Sequence, residues 1–168
     1  MQGGTNTSRH IDGLLDALTF DKPEKPKLVH RIDKDTSGIL VLARNRQWAD
    51  LLTKAFREHT LQKTYLALVA PSPKQDHGEI KAPLEKIGEK VIVNNDGKPA
   101  HTHFETIDAV GNKFALLATE PLTGRTHQIR VHLAENKFCI VCDPLYSGNQ
   151  KPGRLSDIKH RYNGDTFE

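Results

Sequence analysis

Residues 30–38 read HRIDKDTSG, which puts a histidine, two cations, two carboxylates, two hydroxyls and a glycine into nine positions between apolar stretches. A carboxylate flanked by cations keeps its charge in a partly dry site, because a nearby positive charge lowers the pKa that burial raises. Asp33, between Arg31 and Lys34, is therefore a candidate reactive carboxylate. The same composition suits an ordinary polar turn, with Asp35 or Ser37 bonding the local backbone and Gly38 at positive φ. The opening His-Arg-x-Asp has the look of a protein kinase catalytic loop. No downstream Asn at the required spacing, no Asp-Phe-Gly triplet and no Gly-rich phosphate loop accompany it, which excludes that class.

A second segment, TGRTHQIRVH at 123–132, holds Arg125, His127, Arg130 and His132, and no acid occurs from 124 to 133. If a helix starts near Thr126, His127 and Arg130 share one face while Ile129 and Leu133 turn to the core. Arg130 then points where a carboxylate or phosphate could sit, the planar fork being matched to either. The plainer reading is a surface arginine and a structural histidine. Tyr65, in QKTYLALV, is by default a core aromatic of a strand. Beside Lys63 and Thr64 it could instead offer a stacking face to a base.

His101, His103, His127 and His132 raise the question of a metal. Neither H-E-x-x-H nor a carboxylate at matching spacing accompanies them, so none is expected. Cys139 and Cys142 supply at most half of a structural zinc site, and in FCIVC they read as small reduced hydrophobes.

The elements that must position these residues follow from periodicity. A short amphipathic helix is expected at 9–19, and DKPEKPK at 21–27 is a Pro/Lys loop. The HRIDKDTSG loop should be held at both ends, by the apolar pair before it and by a buried strand at 39–42 after it. Trp48, Leu51, Leu52, Ala55 and Phe56 repeat at helical spacing, which predicts an amphipathic helix from Arg46 to His59. Strands are expected at 63–70, 78–81 and 90–93, with a turn at NNDGKP, 94–99. Residues 100–108 and KFALLATE form a hairpin around VGN, and a final helix runs from about Thr126 to Ala134. Strands outnumber helices and no βαβα alternation appears, so the class is α+β with a mainly antiparallel sheet and flanking helices.

The 168 residues fit one domain with a lean core, 36% hydrophobic and 27% charged. No apolar run approaches the roughly 18 residues of a membrane span and no signal peptide leads the chain, so a soluble cytoplasmic protein is expected. The net charge of +3 is small, but its distribution is uneven. Residues 22–63 carry ten basic against five acidic side chains, and residues 64–123 six against eight. Two basic segments thus flank an acidic middle. If they meet, Arg31, Lys34, Arg125 and His127 line a groove for a polyanion.

HRIDKDTSG, KTYLALV, DGKPAHTHF and TGRTHQIRVH, in this order and followed by DPLYSG at 143–148, resemble the RluA-type RNA pseudouridine synthases. The likeness spans roughly residues 2 to 148 and is nearest to the large-subunit ribosomal group. It implies a mixed antiparallel sheet with a central RNA-binding cleft and chemistry that needs no cofactor or metal. It also implies Asp33 as catalytic aspartate, Arg31 holding the RNA open around a flipped nucleotide, Tyr65 stacked on the uracil and Arg130 paired with Asp33. Asp33 would attack C1′ as nucleophile or take a proton from C2′ as base, and the sequence does not choose.

Against the family pattern, a strand before Gln2-Gly3-Gly4 and a terminal strand with Leu-His-Ala are missing. Residues 1–148 are thus expected to be a catalytic domain incomplete at both ends, and 149–168 a peripheral tail. Two other functions fit parts of the sequence. One is an inactive RNA-binding remnant. The other is a glycoside-cleaving enzyme using Asp33 and Asp35, which lie about 6.6 Å apart on an extended chain.

Overall fold

The computed structural model describes residues 11–20 and 22–147. The chain divides between Gln62 and Lys63 into two compact units.

In the first unit, Ile11–Leu18 forms a 3-10 helix in which Leu15 is buried. The expectation of a helix at 9–19 is met in place but not in type; residues 9 and 10 lie outside the described residues. Strands β1 (Lys27–Leu28) and β2 (Leu42–Ala43) pair antiparallel, Lys27 opposite Ala43 and Leu28 opposite Leu42. The buried strand expected at 39–42 is a correction: regular pairing begins only at Leu42, and Ile39 is 85% exposed. β1 offers a partner over two residues only, so the apolar run before Leu42 stays in the loop. Helix α1 (Arg46–Arg57) follows its periodicity but ends two residues before the expected His59, and of its apolar stripe Leu52, Ala55 and Phe56 are half-buried while Trp48 and Leu51 are exposed. It is capped by Asn45, whose side chain accepts from the Trp48 N–H at 3.0 Å, and it packs on β1 and β2.

In the second unit β3 (Tyr65–Ala70), β4 (His77–Lys81), β7 (His101–Val110), β8 (Phe114–Pro121) and β9 (Cys139–Ile140) form one sheet, ordered β4-β7-β8-β3-β9 with every pair antiparallel. β5 (Leu84–Ile87) and β6 (Lys90–Val93) make a separate ribbon. β5 escaped the sequence reading because Leu-Glu-Lys-Ile shows too few alternations to stand out. The β7–β8 hairpin turns at Gly111, whose φ of +56° is open to glycine without strain. Along β7 Thr102 and Phe104 are buried, as are Ala115, Leu117 and Thr119 on β8.

Helix α2 (Gln128–Glu135) lies against this sheet. Val69, Ile80, Phe104, Leu117, Leu133 and Phe138 form the main core; Leu84, Val91, Ala100 and Val131 form a second. α2 starts two residues later than expected because His127, its N-cap, sits in the left-handed region at φ 52°. Cys139 is buried as expected of a small hydrophobe, whereas Cys142 is exposed, in a turn at φ 63°. Residues 149–168, read as a tail, lie outside the described residues.

Candidate active site

The HRIDKDTSG loop of the first unit is fixed at its base. Besides the β1–β2 pair, the His30 imidazole accepts the Val41 N–H at 2.8 Å through Nε2, which in the neutral ring leaves the proton on Nδ1. The same ring stacks on Phe56 of α1, centroids 4.4 Å apart. His30 therefore ties both ends of the loop to the helix. Within the loop the Asp33 carbonyl accepts the Thr36 N–H at 3.1 Å, closing a turn, and Gly38 takes φ 130°. Asp33 is half-buried, while Arg31, Lys34 and Asp35 are exposed. The turn expected for this composition and the candidate carboxylate thus occur together.

In the second unit Arg130 rises from α2 and forms a two-point pair with Asp143: Nε donates to Oδ2 at 2.7 Å and Nη2 to Oδ1 at 2.9 Å. Oδ1 also accepts the N–H groups of Leu145 and Tyr146. Burial alone would raise the Asp143 carboxyl, but the Arg130 hydrogen bond and charge and the two amides outweigh it and hold it below its ordinary value. Arg130 also lies over the Tyr146 ring, 4.9 Å from its centroid. The Tyr146 hydroxyl accepts the Val91 N–H at 2.9 Å and shares a hydrogen bond with His127 Nδ1 at 2.7 Å. His127 and Arg130 are brought together, as the helical spacing suggested, but by Tyr146 rather than by a shared helix face.

Beneath them a buried polar network is satisfied at each step. Gln128 Nε2 donates to the His101 carbonyl and to Thr102 Oγ1, and its Oε1 accepts from Thr123 Oγ1 and the Arg125 N–H. Thr102 Oγ1 donates to His132 Nδ1 at 2.9 Å, and His132 Nε2 donates to the Ala82 carbonyl at 3.0 Å. Burial keeps His132 below its usual pKa, against the pull of that carbonyl. It is a neutral strut that holds α2 on β7. Arg125 Nε donates to the Pro99 carbonyl at 2.9 Å, so this side chain is partly structural. Tyr65 opens β3 opposite Thr119, whose hydroxyl donates to the Tyr65 carbonyl at 3.0 Å.

The sequence reading passed over His30, Gln128, Asp143 and Tyr146. His30 and Gln128 stand inside the two quoted motifs. Asp143 and Tyr146 stand in DPLYSG, and only the turn after β9 reveals them as partners of Arg130.

The family model for RNA pseudouridylate synthase matches residues 2–135, which hold Asp33, Tyr65 and Arg130. The chain belongs to the RNA pseudouridylate synthase family. It is similar to RNA pseudouridine synthase 4, mitochondrial, of Arabidopsis thaliana, 39% identical over 161 residues, covering 80% of this chain and 34% of that protein. It is also similar to ribosomal large subunit pseudouridine synthase C of Haemophilus ducreyi, 42% identical over 150 residues, covering 85% of this chain and 47% of that one. The chain therefore spans about a third to a half of the length of these synthases. A solved structure titled Human RNA Pseudouridylate Synthase Domain Containing 4 superposes with a TM-score of 0.74 at 25% identity, covering 88% of this chain and 62% of that one. The α+β class and antiparallel sheet expected from the sequence are thus those of the synthase fold. Among the described residues no helix is long and apolar enough to cross a membrane.

Proposed function

We propose that this chain carries the catalytic chemistry of a synthase that isomerises uridine to pseudouridine in large-subunit ribosomal RNA. The reading is carried by one observation: a single family match runs unbroken through the Asp33 loop, Tyr65 and Arg130. The name of the Haemophilus ducreyi relative supports the choice of RNA. A cytoplasmic location fits that substrate.

The reaction breaks the N1–C1′ bond, rotates the detached uracil and forms C5–C1′; the C5 hydrogen leaves and N1 gains one. No electrons change hands, so no redox partner is required. Asp33 serves as nucleophile or base, on a loop whose base His30 and β1–β2 hold still. Tyr65 stacks on the extruded uracil, and the phosphate contacts of Arg31, Lys34, Arg125 and His127 help to offset the few kcal/mol that unstacking costs. Arg130 partners the Asp33 carboxylate. A guanidinium has five N–H donors and the Asp143 pair engages the Nε/Nη2 edge, so one arginine can serve two carboxylates.

The test is release of the C5 hydrogen from a ribosomal RNA transcript labelled at uridine C5. Release is expected, reduced at least about 100-fold in Asp33→Asn and little changed in Asp35→Asn. RNA binding by folded chain without release would overturn the catalytic assignment in favour of an RNA-binding role. Release of free uracil, lost equally in both variants, would point to glycoside cleavage instead.

A further inference from the structure

Alternate residues of a strand share a face, so with Thr102 and Phe104 buried beneath β7, His101 and His103 project together from its other side. Strand β4 runs antiparallel at the sheet edge and places Glu79 directly opposite His103. Direct partners share a face as well. Glu79 Oε2 stands 3.2 Å from His101 Nε2, and Glu79 Oε1 stands 3.2 Å from His103 Nε2. Both contacts fall outside hydrogen-bonding geometry, and the two Nε2 atoms are shielded from solvent with no hydrogen-bond partner among the described residues. The two imidazoles meet edge to face, centroids 4.6 Å apart.

One ligand atom from each of the three residues falls within 4.8 Å of the others. A tetrahedral zinc ion with bonds of about 2.0–2.1 Å separates its ligand atoms by about 3.3 Å. Each imidazole here stands 3.2 Å from a different oxygen of Glu79, so an ion held by one of those oxygens would draw the three side chains slightly together. The Lys81 ammonium rests on Glu79 and would have to yield the carboxylate to an incoming ion. An open groove of about 320 Å³ reaches the spot, lined among others by His77, Glu79, His103, Glu105 and Glu120. Its three carboxylates favour a small cation and disfavour RNA phosphates.

We propose that Glu79, His101 and His103 form a site for a divalent transition ion, Zn²⁺ fitting best, with solvent completing the coordination. Two imidazoles and a carboxylate suit Zn²⁺ better than Mg²⁺ or Ca²⁺, which favour oxygen. The ion would pin edge strand β4 to β7 and stabilise the fold by mass action. This inference is independent of the proposed isomerase activity.

The whole chain, stripped with chelator, is titrated with Zn²⁺ by calorimetry and with Co²⁺ by visible absorption. One tight equivalent and the intense bands of low-coordinate Co²⁺ are expected. His103→Ala and Glu79→Gln should each weaken binding by at least about tenfold, and His77→Ala, on the same groove, should not. Lys81→Met should tighten it several-fold, a gain of affinity that misfolding cannot mimic. No saturable binding, or equal affinity in native chain, His103→Ala and Glu79→Gln, would overturn the site and leave Glu79 a plain ion-pair partner. Unchanged affinity in Lys81→Met would overturn the displacement of Lys81.

Discussion

Asp143 carries more of the second unit's local order than its place in a short turn suggests. Its carboxylate receives both ends of the Arg130 fork and two backbone amides, and its side chain is only 4% exposed. Removing the charge takes the two-point carboxylate partner from a guanidinium that is itself 14% exposed. Asp143→Asn is therefore expected to cost about 3 kcal/mol in urea unfolding. The sign with pH follows from linkage. The folded carboxyl lies below the unfolded value of 3.8, so its stabilisation is complete above that value and is lost as pH falls through the folded one. The acid limb of stability below about pH 4 should thus be steeper in the native chain than in Asp143→Asn, read from unfolding midpoints. An equal acid limb in the two proteins would remove the pair as its cause.

At the scale of elements, the loop that carries Asp33 is long and its strands are short. β1 and β2 pair over two residues each, so the loop between them depends on side-chain ties. His30 supplies two, a hydrogen bond to the Val41 N–H and a stack on Phe56. His30→Phe keeps the stack and deletes the acceptor. Hydrogen exchange at the Val41 amide is expected to accelerate by about tenfold, the kinetic equivalent of roughly 1.4 kcal/mol, with α1 unaffected. Unaltered exchange at Val41 would show that the strands alone hold the loop. The second unit solves the same problem differently: Gln128, Thr102 and His132 lock α2 to β7 through a chain of buried hydrogen bonds.

For the molecule as a whole, charge distribution matters more than the total of +3. If Arg31, Lys34 and Arg125 each touch a phosphate, each alanine variant should lower the slope of log affinity against log salt by about one. Arg31 and Lys34 are exposed, so their variants should leave thermal stability unchanged. Arg125→Ala should also lower the melting temperature, because it abandons the Pro99 carbonyl. A slope indifferent to all three would place the RNA elsewhere.

Much of this was legible in the sequence. The apolar spacing of α1, the alternation of β7 and the strands at β3, β4 and β6 are local patterns, because burying one face imposes a period of 3.6 or 2 along the chain. The motif order told of the family for the same reason: each motif is contiguous. Ile39–Leu42 misled because a hydrophobic run records the wish to be buried but not whether a partner strand exists. Asp143 meets Arg130 across a turn, and Glu79 meets His101 and His103 only through the β4–β7 register. Side-chain chemistry and local periodicity belong to the sequence. Distances between residues far apart along the chain arise only when the chain folds, and they made Asp143 a partner of Arg130 and grouped Glu79 with two histidines.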